Sequence, residues 1–486
     1  MPNRSIAGSI ATAGALLLTL AGCADQAANL APVQPEAQWS VPAALAGEVD
    51  RTLTRPDPDT VGVDRAKRYG LPGLIDLAQR LDPETRLAWE QARAAAYAVD
   101  TARADYFPQI GAALVAGRGR SDITYDLPGL GSTTVDNTAT STIPSVFVEW
   151  MLFDFGEREA AVELAEKLAI SQNLGFNLAH QQTMLDVSRD YHALLAARTQ
   201  AEAAERALEN SQRILSSAEA RLARGVGDVV EVAQARQALA QSRLDAVRAR
   251  GDASAAYASL MATVGLPAAR GVEVSTRPMP LPEAMPEALD AVVRNALRHR
   301  PDILQAVVNL QAQRAARDGA EAAFRPKIGL LASAARNNGG LAINANSFDI
   351  PATDTLALLT IEMPIFDGGL RESRRRAAAA ELAGARAQLA AVRRAAEAGI
   401  VTAYEGLATA LSAWESADAL VAAARQTADA TMSAYREGMG NLPDALAAQN
   451  GLLDAEQARS QARADAQIAM AVFAFESGAL SDATRP

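Results

Sequence analysis

Few side chains in this 486-residue protein are of the types that do chemistry, and their spacing argues against catalysis. The three histidines, His180, His192 and His299, share no motif. The single cysteine, Cys23, cannot form an intramolecular disulfide. No glycine-rich phosphate loop and no nucleophile elbow occurs. The expectation is a chain that is not an enzyme, with no catalytic residue, metal ligand or cofactor. Acidic residues outnumber basic ones, 57 against 46, for a formal net charge of -11, so nucleic acid is not an expected partner. What remains is the cysteine near the N-terminus and two groups of polar residues set among paired glycines.

Cys23 ends the run Leu20-Ala21-Gly22-Cys23. Ahead of it stand Arg4 and a short apolar stretch from Ala7 to Leu20. That is the layout of a secretory signal peptide, and the stretch is too short for a spanning helix. The four residues resemble a bacterial lipobox, which implies cleavage before Cys23 and acyl chains on it. Each buried methylene would then contribute about 0.8 kcal/mol to membrane anchoring. By resemblance to lipoprotein sorting rules, Ala24 in place of an aspartate fits outer-membrane delivery. Residues 1–22 are therefore expected to be a signal peptide, and residues 23–73 a lipidated, proline-rich extension. An ordinary signal peptide with an incidental cysteine is the alternative.

The glycine groups belong to a larger pattern, because the chain contains one unit twice. Pro83 and Pro301 are 218 residues apart, as are Pro108 and Pro326, and Ala104–Gly111 mirrors Ala322–Gly329. Further on the offset is 213. Leu152-Phe153-Asp154 matches Ile365-Phe366-Asp367, and Gly225 and Gly227 match Gly438 and Gly440. A unit of about 180 residues is too long for a solenoid repeat, so duplication is the better reading. The expected domains are a first repeat, 74–266, an equatorial linker, 267–290, a second repeat, 291–478, and a tail, 479–486.

Within each copy the hydrophobic period changes. A helix leads to Pro108, expected over about 74–107 in the first copy and about 291–324 in the second. Alternation follows: Ile110, Ala112, Leu114 and Ala116 share one strand face, closed by Arg118. The polar stretch 119–143 reads as a loop. A second strand then places Val146, Val148, Trp150 and Leu152 on one side, as Leu359, Ile361, Met363 and Ile365 are placed later. Strands are expected at about 110–118, 144–153, 327–336 and 356–366. They suit a membrane β-barrel and would equally suit a soluble sandwich.

Beyond the strands, no proline occurs from Gly156 to Leu266. Val187, Leu194, Ala201, Leu208, Leu215 and Leu222 recur every seven residues, beside a line of mostly small residues. The second copy repeats this from Ile400 to Tyr435. Such heptads make a coiled-coil seam, in a tall tube or in a soluble bundle alike. A helix from Gly156 to about Arg224 would span roughly 100 Å, twice what its returning partner covers. The reversals fall at 225–228 and 438–441, where glycines permit the turn. Four strands cannot close a barrel, and an open edge in lipid leaves backbone groups unpaired, so strands in a membrane would require several copies.

The duplicated helix-strand-strand-helix-turn-helix unit resembles the TolC-like outer membrane factors of Gram-negative bacteria over roughly residues 74–478. The likeness is carried by Phe107-Pro108-Gln109-Ile110 and Arg325-Pro326-Lys327-Ile328 before the strands. Phe153-Asp154-Phe155-Gly156 and Phe366-Asp367-Gly368-Gly369 follow them, and the turns are Arg221–Asp228 and Tyr435–Asn441. The resemblance implies a mainly α fold with membrane β. Long coiled-coil helices would form an α-barrel, and four strands per chain would contribute to the 12-stranded β-barrel of a homotrimer. It further implies a passive duct through outer membrane lipid for efflux or type I secretion. The duct would dock on a periplasmic adaptor (membrane fusion) protein and an inner-membrane pump of RND or ABC type. Arg224, Gly225, Gly227, Asp228, Arg436, Gly438, Gly440 and Asn441 would then meet the adaptor. Asp444 occupies a position where the family often narrows its channel, although Ala447, three residues on, is not an aspartate. The alternative is a lipid-anchored helical scaffold without a pore.

Overall fold

The computed structural model describes residues 48–49, 51–52, 63–127, 129, 131–276, 279–282, 285, 288–343 and 346–480. Residues 1–22, expected as a signal peptide, Cys23 and residues 481–486 lie outside the described residues. Contacts divide the chain into two units, Met1–Val63 and Asp64–Pro486. Of the first, residues 48–49 and 51–52 are helical, with the Thr52 hydroxyl donating to the Glu48 carbonyl at 2.8 Å.

The second unit holds the duplication in its element lengths. Copy one comprises α1 (Leu71–Leu81), α2 (Pro83–Ala104), β2 (Gln109–Leu127), β3 (Gly131–Phe153), α3 (Glu157–Ala223) and α4 (Val229–Thr263). Copy two comprises α5 (Leu289–His299), α6 (Pro301–Ala322), β5 (Lys327–Ile343), β6 (Asn346–Glu362), α7 (Leu370–Arg436) and α8 (Leu442–Glu476). β1 (Arg68–Tyr69), ahead of copy one, pairs in parallel with β4 (Glu273–Val274), which lies between the copies, and Arg68 meets Glu273 at 2.7 Å. The expected linker 267–290 thus contains a strand and a 3-10 turn at Ala268–Arg270. Helices α3 and α7 each have 67 residues, a rise of roughly 100 Å. In the second copy the large heptad line is buried at Ile400, Leu407 and Val421; in the first it is buried at Val187 and Leu194, only partly covered at Leu208 and Leu215 and exposed at Leu222, where the small line at Ala204, Ser211 and Ala218 is buried instead.

Two expectations need correction. The helices leading to the strands are each broken, at Pro83 and at Pro301. Proline disfavours helical geometry in the residue before it, and Asp82 and Arg300 accordingly sit extended with ψ 121° and 125°. Asp82 then caps the new helix, accepting from the Glu84 and Thr85 amides at 3.2 and 3.0 Å. The stretch 119–143 is also not a loop. β2 and β3 continue as a ladder to Leu127 and Gly131, and β5 and β6 extend likewise to Ile343 and Asn346. The pairs there are polar and β-branched, such as Thr124 opposite Thr134. Such residues suit a pleated surface, and Ile123, Tyr125 and Leu127 alternate there with Thr124 and Asp126, but Gly117-Arg118-Gly119-Arg120 separates this short signal from the apolar run below.

The four long strands form one antiparallel sheet in the order β2-β3-β5-β6, so β2 and β6 are its edges. Near the helices one face is apolar across all four strands. Ile110, Val148, Ala332 and Ala357 form one row; Trp150, Leu330 and Leu359 form the next. A bulge at Leu152 shifts the register, so Phe153 rather than Leu152 continues this face, opposite Ile328 and Ile361. β6 ends at Glu362, short of Met363 and Ile365. Gln109, Glu149, Lys327, Thr360 and Glu362 lie on the opposite face. A Cβ on Gly111 would come within 2.3 Å of the Phe147 ring, which explains why glycine is needed opposite that side chain.

Candidate functional site

At the far end from the sheet, both long helices reverse through the same hydrogen-bonded turn. The Gly225 amide donates to the Leu222 carbonyl at 2.9 Å, and the Val226 amide to the Arg221 carbonyl at 3.1 Å. In copy two, Gly438 donates to Tyr435 at 3.1 Å and Met439 to Ala434 at 2.9 Å. This is the Schellman pattern, which satisfies carbonyls the helix end leaves over. Gly225 and Gly438 sit at φ +76° and +80°, a left-handed backbone that side chains rarely adopt. Gly227 is fixed for another reason, since a Cβ there would lie 2.8 Å from the Leu222 amide nitrogen.

The returning helices start from side-chain caps. Asp228 accepts from the Val230 amide, and Asn441 accepts from the Asp444 amide at 2.9 Å. Asn441 Nδ2 donates back to the Asp444 carboxylate at 2.8 Å, so Asp444 helps to hold the cap and is itself exposed. Arg224 Nε donates to the Ala220 carbonyl at 3.2 Å, and both Arg224 and Arg436 are exposed. All nine polar and glycine positions expected around the turns are therefore at one end of the helices.

Sequence reasoning missed two features of this end. The first is an apolar rim: Val226, Val229, Val230 and Met439 are all exposed. The second is a buried cluster that joins the two hairpins. Ile214 and Ala218 of α3, Val232 and Ala235 of α4, Tyr435 of α7, and Leu442 and Ala445 of α8 form one core. Against it, Arg221 lies over the Tyr435 ring at 5.2 Å and faces Glu231 at 3.8 Å. Tyr435 is 1% exposed, and its hydroxyl has no hydrogen-bond partner among the described residues. Burial raises its pKa; the nearby Glu231 charge adds to this and Arg221 opposes it. Tyr435 and Arg221 are far apart in the sequence, and no short motif links them.

A second missed pair stands where sheet meets helix. Asp154 accepts from the Gly156 and Arg158 amides at 3.3 and 3.0 Å and from Arg158 Nε at 2.7 Å. Arg158 also donates to the Met151 and Asp105 carbonyls at 2.7 and 2.9 Å, and it lies over the Tyr106 ring. Asp367 and Arg371 repeat the arrangement, with Arg371 over Phe324. The signal was present: each arginine follows its aspartate by four residues, and the two pairs are 213 apart. Among the described residues no group of three or more His, Cys, Asp or Glu could hold a metal ion.

Comparison with known proteins agrees with this architecture. A family model described as "Outer membrane efflux protein" matches residues 74–266 and 292–474. Protein CyaE of Bordetella pertussis is 28% identical over 418 residues, covering 86% of this chain and 85% of its own. The fold is similar to that of the Campylobacter jejuni CmeC outer membrane channel, with a TM-score of 0.71 at 16% identity over 92% of this chain and 94% of that one. It is also similar to the outer membrane protein VceC of Vibrio cholerae, with a TM-score of 0.68 at 20% identity over 84% and 96%.

Proposed function

The chain belongs to the outer membrane efflux protein family, and from that premise we propose that three copies form a passive duct spanning the outer membrane and periplasm. The observation that carries this reading is the sheet. Among the described residues it has two open edges, an apolar face near the helices, and support from helices roughly 100 Å long. A four-stranded sheet in lipid must complete its edge hydrogen bonds with other copies. Twelve strands from three chains would enclose a pore, with the face bearing Glu149, Lys327 and Glu362 turned to water.

In this reading residues 1–22 are removed and Cys23 carries the lipid anchor. The turns at 225–228 and 438–441 meet a periplasmic adaptor. Val226, Val229 and Met439 offer it apolar contact, while Arg224, Asp228, Arg436 and Asn441 set orientation. Asp444, repeated three times around the axis, adds negative charge where the channel narrows. The chain performs no catalytic step, and an inner-membrane pump of RND or ABC type supplies the energy. The test is single-channel recording of the purified protein in planar bilayers. Discrete conductance steps are expected, whereas a scaffold without a pore would give none.

A further inference from the structure

The sheet exchanges the character of its two faces along its length. Beyond the bulge at Leu152 the pairing runs to the hairpin ends without a slip, so parity fixes the face of each residue. One face takes even numbers in β2, β3 and β5 and odd numbers in β6. Near the helices this is the apolar face of Ile110, Val148, Ala332 and Ala357. Beyond Ala116 it holds every charge: Arg118, Arg120, Asp122 and Asp126 of β2, Asp136 of β3, and Asp349 of β6. Arg120 meets Asp122 there at 3.4 Å, and the Thr124 and Thr134 hydroxyls lie 3.0 Å apart. The large apolar residues described in this outer part are on the other face. Ile123 pairs with Val135 and Leu341 with Phe348, and Ile343 and Ile350 share their parity.

Membrane thickness accounts for half of this exchange. A strand crosses a bilayer in about 9–11 residues. β2 has 19 residues, so the outer part of its hairpin stands beyond the lipid. Water outside explains the outward charges. It does not explain inward apolar side chains, since a water-filled lumen favours polar residues. Nearer the helices the same inward face does carry charge, at Glu149, Asp354 and Glu362.

Resting on the trimeric duct above, we propose that Ile123, Val135, Leu341, Ile343, Phe348 and Ile350 of three copies form a dry apolar collar at the outer mouth. What each copy's residues face is the same set on the other two. Eight strands enclose a space that side chains fill, and sixteen leave an aqueous channel. Twelve lie between, so the size and polarity of the lining decide whether water fills the passage. Phe348 and Ile350 are 51% and 48% exposed in the single chain, free to project there. A hydrated ion sheds water at high cost to enter such a segment, whereas cargo with apolar surface wets it. The collar conducts only while wetted, in discrete steps, and checks solutes at the opposite end of the molecule from the helix turns.

The test is the rate at which a sulfonated maleimide fluorophore, too large for general porins, labels single cysteines from outside intact cells. The unaltered chain, whose only cysteine is Cys23, is the blank. Labelling is read on the assembled species of unheated gels and normalised to labelling after denaturation. Ser132→Cys, on the outward face beyond the lipid, is expected to react fast. Thr360→Cys, exposed on the inward face below the collar, should react at least about tenfold more slowly. Adding Phe348→Ser and Ile350→Ser should bring Thr360→Cys close to the rate of Ser132→Cys, while adding Phe348→Leu should leave it slow. Val135→Ser, on the other hairpin, gives the same reading if the double serine variant does not insert. Should Thr360→Cys alone react as fast as Ser132→Cys, or stay equally slow with a polar lining, the collar is overturned and the duct stands. If Ser132→Cys reacts only after denaturation, the hairpins do not reach the cell surface, and both fall.

Discussion

Tyr435 shows how one side chain can join the two hairpins at their turns while carrying an unmet polar group. Its ring is surrounded by residues from all four helices of that end, and its hydroxyl is buried without a partner. Removing the hydroxyl leaves the packing intact and deletes a desolvated group, so Tyr435→Phe should change stability by less than about 1 kcal/mol, in the stabilising direction. Tyr435→Ala empties the centre of the cluster and should cost about 3–5 kcal/mol by denaturant unfolding. His192 makes a pH-dependent contribution. Burial, aided by the Arg463 charge, lowers its pKa to about 4. Below the ordinary imidazole value near 6.5 the unfolded chain takes up a proton that the folded chain refuses, so stability falls as pH drops from about 6.5 to 4. Between pH 7.5 and 5 the loss from this group should be on the order of 2 kcal/mol. His192→Gln should remove that part of the slope in thermal unfolding followed by circular dichroism.

At the scale of elements, the sheet's apolar face makes the clearest demand. Val148 lies in the row with Ile110 and Ala332, and Ile361 pairs with Ile328. Val148→Arg or Ile361→Arg should cost about 2 to 4 kcal/mol at the bilayer midplane and reduce the membrane-inserted fraction measured by heat-modified gel mobility. Normal insertion would mean that this face does not meet lipid. The long helices and their turns were legible in the sequence because heptads, prolines and glycines are local signals. The full length of the hairpins was not. Above Arg118 the ladder pairs many threonine, serine and aspartate residues, and the short alternation of Ile123, Tyr125 and Leu127 is cut off from the lower strand by Gly117-Arg118-Gly119-Arg120. The Arg221–Glu231–Tyr435 cluster was hidden for a different reason: it forms only when two distant hairpins pack together. The Asp154–Arg158 and Asp367–Arg371 pairs lay between these cases, visible once the 213-residue offset is applied beyond the Phe-Asp motif.

For the whole molecule, duplication explains both what the chain supplies and what it lacks. Each repeat gives one hairpin and one set of long helices, and the junction between repeats pairs β3 with β5 and α3 with α6. The outer edges, β2 and β6, have no such partner among the described residues. Apolar residues cluster beside them, with Ile365 and Phe366 largely exposed next to the end of β6. A protein with these edges in lipid is stable only when neighbouring copies cover them. The most direct measurement is the mass of the detergent-extracted particle by native mass spectrometry. Three chains per particle are predicted, and a stable, membrane-extracted single chain would contradict the account.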